Sequence, residues 1–510
     1  MSPVLAQRSL LDRYLAGIEG RTPDSGALAF FASLDQVRTV DPAVAARVAQ
    51  ELVDQRDNLK LIASENYSSL AVQLAHGNLL TDKYAEGVSG RRFYAGCDNV
   101  DAIENRAADL ARRLFGAEHA YVQPHSGADA NLVAFSAILA QRVEASAVET
   151  LGQKSVATLG DQEWASLRER LNNQRLLAMD YYSGGHLTHG YRFNLSARLF
   201  EAHHYSVDRD TGLLDLDALH RQIQEVRPLI LLAGYSAYPR AIDFARLRQM
   251  ADDAGAVLMV DMAHFSGLVA GKVFQGDYDP VPFAQVVTST THKTLRGPRG
   301  GFVLSDGEFA DAVDKGCPAV LGGPLPHVMA AKAVAFGEAL RPEFPVYAAE
   351  IVANARVLAE QFQGKGMTVL TGGTDNHIVL VDVARTWGLT GRQAESALRS
   401  IGLTLNRNSL PFDVNGPWYT SGLRFGTAAV TTLGMGRAEM AEVASIVRDV
   451  LGAVRQVRDA RGASKARYDL DADVVTSARS RVSELAAGFP LYPEIDHELL
   501  LQAAAGPRDE

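Results

Sequence analysis

Cysteine is scarce. The 510 residues hold two, Cys97 and Cys317, too few for a disulfide framework, and Cys97 reads as a small buried residue. No apolar run approaches the roughly 18 residues that a membrane helix needs. The start, MSPVLAQRSLLDRYLAG, lacks the basic-then-apolar order of a secretory signal. Basic charge is also in short supply. A formal net charge of −10 argues against a broad nucleic-acid footprint, which needs a basic face. Any anionic ligand must then be held by local donors. There is no internal repeat and no low-complexity block. These exclusions point to a cytoplasmic chain with no membrane and no nucleic-acid partner. What remains is ordinary for a globular protein, with 47% hydrophobic and 22% charged residues, and the length suggests roughly two to four domains.

Strand and helix signals alternate through the middle. PLILLAG (228–234) is a continuous apolar run and reads as a strand buried on both faces. Asp243 caps a helix with Phe244, Leu247 and Met250 on one face and Gly255 as its stop. AVLMVDMAH follows as a second strand ending at Asp261, and AQVVTSTTHK as a third. Strand, helix, strand in this order means parallel pairing through right-handed crossovers, with ligands beyond the carboxyl ends of the strands. Asp261 and Lys293 both fall there. HSGADANLVAFSAIL reads as a helix opened by Ser126 and Gly127, whose free N–H groups suit an anion. Between it and GGHLTHG lies an inserted element at about 141–179, with Trp164, Leu167 and Leu171 at helical spacing. After 341 the texture changes to a long amphipathic helix carrying Ile351, Ala355, Leu358 and Phe362, then short strands and a helix capped by Thr390. The expected fold is α/β, with a large, mostly parallel sheet covered by helices and a smaller C-terminal α/β domain. The expected boundaries are an N-terminal extension and arm (1–80), a large domain (81–340), a small domain (341–492) and a tail (493–510).

A lysine at a strand end can form a Schiff base with an aldehyde cofactor. Pyridoxal phosphate needs such a lysine, a carboxylate for its ring nitrogen and a phosphate cradle. Alone, Lys293 would read as a surface lysine in a turn. Together with Asp261, the helix start at Ser126 and GGHLTHG, it reads as the cofactor's anchor, with Thr290 a hydroxyl in reach.

LIASENY, KYAEG, QPHSGADAN, GGHLTHG, GYSAYP, VDMAH, TTHKTLRGPRGG, GGTDNH, NRNSLP and TSGLRFGT stand in the order found in serine hydroxymethyltransferases, from Leu61 to Thr427. The chain resembles that family, which has the aspartate-aminotransferase-like pyridoxal-phosphate fold. The resemblance implies transfer of the serine hydroxymethyl carbon to tetrahydrofolate, giving glycine and methylenetetrahydrofolate. It makes Lys293 the covalent anchor, Asp261 the ring-nitrogen partner and His186 the residue stacked on the ring. Ser126, Gly127 and Ala128 start the phosphate cradle, and Ser236 and His264 lie near the ring oxygen and phosphate. Arg424 grips the substrate carboxylate, assisted by Ser64. Tyr84, Glu86 and Tyr94 reach a neighbouring subunit's site, as Gly323 does toward its phosphate, so the active unit is a homodimer at least and a tetramer is open. Glu86 is the proton shuttle, and Asn408, Tyr181 and Gly185 face the folate. His292 orients the site rather than transferring protons, Arg299 supports it, and Arg296 has no assigned role.

Several positions depart from the family pattern. Ala128 replaces a second serine, and Phe93 a tyrosine. Tyr181 and Tyr182 replace smaller residues at the folate entrance, which keeps a folate-independent aldolase for threonine-like substrates as the nearest rival. A binding protein that lost the chemistry is the other. The insertion is expected to cover the folate mouth or an oligomer face. His186 and His189 are spaced like a metal pair, but no third ligand accompanies them, so no metal is expected. His203 and His204 read as polar strand residues. DRDTG (208–212) reads as a turn rather than a calcium loop.

Overall fold

The structure, a computed structural model, describes residues 9–18, 20–459 and 462–505. The first eight residues, read for a signal, and 506–510 of the expected tail lie outside the described residues.

Seven strands build the central sheet: β1 (His119–Tyr121), β2 (Arg175–Met179), β3 (Glu201–Tyr205), β4 (Ile230–Gly234), β5 (Val257–Asp261), β6 (Val286–Thr290) and β7 (Gly301–Ser305). Their order in space is β1-β7-β6-β5-β4-β2-β3. From β6 to β3 all neighbours are parallel, while β7 runs antiparallel to β6 and β1. Successive side chains of a strand point to opposite faces. In β5, Leu258 and Val260 enter one core and Val257 and Met259 the other. That double burial is why these strands read as unbroken apolar runs. The helix Phe244–Ala254 has the expected cap, with Asp243 accepting from the Arg246 N–H, and ends at Gly255 in the left-handed conformation.

The smaller sheet is antiparallel and has four strands: β8 (Thr368–Val369), β9 (Ile378–Asp382), β10 (Asn406–Asn408) and β11 (Gly422–Gly426), ordered β8-β9-β11-β10. The helices Glu343–Gly364 and Gly391–Ser400 cover it with their own core. The amino-terminal region is more than an arm, because Leu59–Lys60 pairs in parallel with Leu403–Thr404 of the small domain. The segment from 493 is more than a tail. Its helix His497–Ala504 buries Leu499, Leu500 and Ala503 in one cluster with Leu10, Phe31 and Leu52.

The inserted element ends earlier than expected. β2 lies within 141–179, yet it is an inner strand with Leu176, Leu177 and Ala178 fully buried. The insertion proper is a π turn (Ala140–Glu144) and the helices Ala145–Thr150 and Asp161–Asn172. Leu167 seals a small cluster with Val143 and Ala147, whereas Trp164 of the same stripe is 41% exposed. The preceding helix, Gly127–Leu139, carries the chain away from the carboxyl ends of the strands by about 20 Å at 1.5 Å per residue. β2 then starts from that far edge. The insertion therefore lies opposite the mouth, one of the two places it was expected to cover.

Candidate active site

The parallel strands deliver their carboxyl ends to one cleft. Asp261 is the last residue of β5, Ser236 follows β4, and Lys293 follows β6 by one turn of loop. The Asn66 amide donates to the Lys293 carbonyl oxygen at 2.8 Å, which clips that loop to the LIASENY segment. The cleft holds a cavity of about 300 Å³ lined by Lys293, His186, His264, Ser236, Arg424 and Ser64, and also by Tyr181, Gly185 and Asn408.

The Lys293 ammonium donates to the Thr290 hydroxyl at 3.2 Å. Burial lowers its pKa to about 8; Asp261 opposes the shift, while Arg424 and Arg299 add to it. Roughly a tenth of such an amine is neutral near pH 7, far above an exposed lysine.

Asp261 is buried within a closed set of donors. Its Oδ2 accepts from the Asn131 amide at 2.9 Å and from His189 Nε2 at 3.2 Å, and its Oδ1 from the Ala263 N–H at 3.0 Å. Burial alone would raise its pKa, but His189, His186 and Asn131 outweigh it and hold the carboxyl well below its usual range. The network continues outward. Thr288 donates to Asn131 Oδ1 at 2.6 Å, Asn131 donates to the Thr188 hydroxyl at 2.8 Å, and Thr188 donates to His186 Nδ1 at 2.8 Å. The backbone N–H of His186 meets His189 Nδ1 at 3.3 Å, which fixes the proton of His189 on the nitrogen facing Asp261. His186 opens onto the cavity, and desolvation lowers its pKa to about 4. It is a neutral ring.

Asp261 overturns the expectation that His186 and His189 lack a third partner. One ligand-type atom from each of the three lies within 4.8 Å of the others. The sheet brings together residues that are far apart in sequence. In the tautomer above, His189 offers Asp261 a proton rather than offering a cation a lone pair, so the group works as a hydrogen-bonded support.

Arg424, on β11, points across the domain boundary. Its Nε donates to Asn406 Oδ1 at 3.1 Å and its NH1 to the Ser236 carbonyl at 2.5 Å. Among the described residues no carboxylate pairs with it. Burial drops its pKa to about 10. A desolvated guanidinium with a free edge and no acid partner is a site for an incoming carboxylate.

A family model for serine hydroxymethyltransferase matches residues 37–150 and 164–447. The serine hydroxymethyltransferase of Treponema pallidum (strain Nichols) is 59% identical over 489 residues, covering 95% of this chain and 85% of that one. That of Salinispora tropica is 56% identical over 469 residues, 92% of this chain and 98% of that one. That of Chlamydia muridarum is 52% identical over 496 residues, 97% of this chain and all of that one. The chain belongs to the serine hydroxymethyltransferase family.

The residues fit the family's pyridoxal phosphate. A buried amine, an ionised buried carboxylate and a neutral histidine between them match an aldehyde, a ring nitrogen and a ring face. Ser126 caps the helix Gly127–Leu139, its hydroxyl accepting from the Asp129 N–H, which leaves the N–H groups of Gly127 and Ala128 free of that cap. A Cβ at Gly127 would lie 2.7 Å from Thr290 Cγ2, so the helix start abuts the lysine loop. His264 stacks on His377, with Nδ1 3.3 Å from His377 Nε2.

Other serine hydroxymethyltransferase positions fall outside the cavity. Tyr84, Glu86 and Tyr94 form a separate exposed cluster, both tyrosine hydroxyls meeting the Glu86 carboxylate at 3.4 and 3.2 Å. Gly323 sits beside the Tyr84 ring. His292 bonds Arg299 at 2.8 Å and lines, with Arg299 and His76, a second cavity that shares Ser64 with the first. Arg296 also lies outside, its guanidinium 4.5 Å from the Tyr347 ring centroid. Asn131, Thr188 and His377 are supporting residues that sequence reasoning missed, and His189, weighed there only as half of a metal pair, is another. Asn131 stood inside QPHSGADAN and His377 inside GGTDNH, both part of the resemblance, so motif membership was the available signal. The residues between the two family-model segments, 151–163, coincide with the core of the insertion.

Proposed function

We infer that this enzyme moves the hydroxymethyl carbon between serine and tetrahydrofolate, with glycine as the other product, using pyridoxal phosphate bound through Lys293. The carrying observation is the Arg424 guanidinium without an acid partner in the same cavity as the Lys293 amine. When bound, the cofactor supplies an electron sink for the pair left at Cα as the side-chain carbon departs. Asp261, held ionised, keeps a proton on the ring nitrogen. His186 packs as a neutral ring, so it adds no positive charge against the cofactor's own. Arg424 takes the substrate carboxylate and thereby sets which Cα bond stands across the ring. Ser64 adds a hydroxyl at that end. Tyr181, packed against Tyr191 with ring centroids 5.0 Å apart, gives the cavity an aromatic face, lined also by Asn408, on which a pterin could pack.

Tyr84, Glu86, Tyr94 and Gly323 serve the site of a second copy, which makes a homodimer the smallest active unit. Their exposure and mutual contacts away from the cavity support this. Glu86 would then hold or pass the proton that the carbon transfer requires near the folate nitrogens. Two buried free cysteines suit a reducing compartment, and no helix among the described residues is long and apolar enough to cross a membrane, so we place the enzyme in the cytosol.

The test is a visible spectrum of the purified protein with glycine and then tetrahydrofolate. A cofactor band that changes strongly only when both are present supports the transferase. A band indifferent to folate, with serine cleavage independent of tetrahydrofolate, replaces it with an aldolase. No cofactor band after adding pyridoxal phosphate removes the role of Lys293.

A further inference from the structure

Lys332 lies in the helix Pro326–Ala339 and is 1% exposed. Among the described residues no carboxylate pairs with it. Its ammonium donates instead to three backbone carbonyls, those of Val122 at 2.6 Å, Pro124 at 2.8 Å and Gly301 at 2.8 Å. Three donors meet three acceptors, so the group is satisfied. Burial still lowers its pKa, to about 7. An apolar side chain of similar length would fill the same space without burying a charge. The position of the three carbonyls gives the cation a use.

Val122 and Pro124 belong to the segment leaving β1 for the helix Gly127–Leu139, and Gly301 opens β7. The Gly301 N–H donates to the Pro124 carbonyl at 3.0 Å. A Cβ at Gly301 would stand 2.3 Å from the Ser126 carbonyl oxygen, so the two backbones touch at the helix cap. Among the described residues, Lys332 is the one side chain that hydrogen-bonds to both segments at this contact.

We propose that Lys332 is a positioning residue for the phosphate cradle: its ammonium ties 122–124 to Gly301 and so sets where the free N–H groups of the helix start point. This rests on the reading that the Ser126–Ala128 turn receives the cofactor's phosphate. The lysine touches no ligand itself. It acts through the backbone.

Pyridoxal keeps the aldehyde but lacks the phosphate, so the ratio of its dissociation constant to that of pyridoxal phosphate isolates the cradle. Both are measured by visible absorbance on the cofactor-free full-length chain. K332M is expected to lower this ratio about tenfold, the loss of well-placed hydrogen bonds to a charged group, with pyridoxal affinity unchanged and a displaced ³¹P resonance in the holoenzyme. A merely structural lysine would weaken both ligands equally and leave the ratio alone. G300A supplies a second variant where K332M fails to fold. Its added Cβ would come 2.6 Å from Lys332 Cε and displace the ammonium without removing it. A wild-type ratio in the folded variants overturns the proposal. A128D, which puts a carboxylate in the cradle, keeps the two readings apart. If A128D lowers the ratio and the lysine variants do not, the role of Lys332 fails. If A128D leaves the ratio unchanged, the cradle reading fails and the proposal falls with it.

Discussion

Replacing Arg424 with lysine tests the reading of the site most sharply. The guanidinium spends Nε on Asn406 and NH1 on the Ser236 carbonyl, which aims its remaining edge at the cavity. A lysine is shorter and has one nitrogen. It cannot bond Asn406, the Ser236 carbonyl and a carboxylate in the planar pattern that arginine allows. Charge is kept, so the loss is one arm of a charge-assisted pair, about 1.5–3 kcal/mol. That predicts a KM for serine raised roughly 10- to 150-fold. The affinity for pyridoxal phosphate should stay within about twofold, since Arg424 is assigned to substrate and not to cofactor. Steady-state kinetics with saturating tetrahydrofolate give the first quantity and an absorbance titration the second. A KM for serine close to wild type would refute the reasoning, because the free edge of Arg424 would then not be where the carboxylate binds.

The depressed pKa of Lys293 predicts that cofactor capture by the cofactor-free protein speeds up as pH rises and levels off above about 8; a rate still climbing toward the ordinary 10.5 would contradict it. The sign for stability follows from the same shift. Between about 8 and 10.5 the unfolded chain holds this proton and the native chain does not, so the cofactor-free protein should gain stability over that window relative to K293M, as read by thermal melting. Random subunit exchange between K293A and E86Q should restore activity in one site of each mixed dimer, about a quarter of all sites, if Glu86 serves its partner; no recovery after exchange would place Glu86 elsewhere. Shortening the 152–159 loop should leave the KM for folate within about twofold, because the insertion lies at the far edge of the sheet; a large rise would return it to the mouth.

The central strands were legible because burial on both faces leaves an unbroken apolar signal, as in Val257–Asp261. The helix after Asp243 was legible because cap, stripe and glycine stop are all local. The edges of the design were not. Leu59–Lys60 is too short to carry a pattern, and its partner lies in another domain. The helix His497–Ala504 looked like a tail because its apolar face meets residues near the other end of the chain. β2 was absorbed into the insertion because nothing within 141–179 says which residues cross beneath the sheet.

The site divides in the same way. Lys293, Asp261, His186 and Arg424 could be named from the motifs, since each carries chemistry that its neighbours advertise. Their protonation could not. The neutrality of His186, the ionised state of Asp261 and the reactive amine of Lys293 depend on burial and on Asn131, Thr188 and His189, which folding brings within about 3 Å. Sequence alone determined which groups the chain has and the order in which they lie along it. Tertiary structure decided which cavity each faces: it set Glu86 and its two tyrosines apart from Lys293, paired His292 with Arg299, and placed Lys332 under the segment that leads to the Ser126 cap. The reason is that a hydrogen-bond network or a cavity wall is assembled from strand ends and loops far apart in sequence, and only their packing fixes the distances on which charge and reactivity depend.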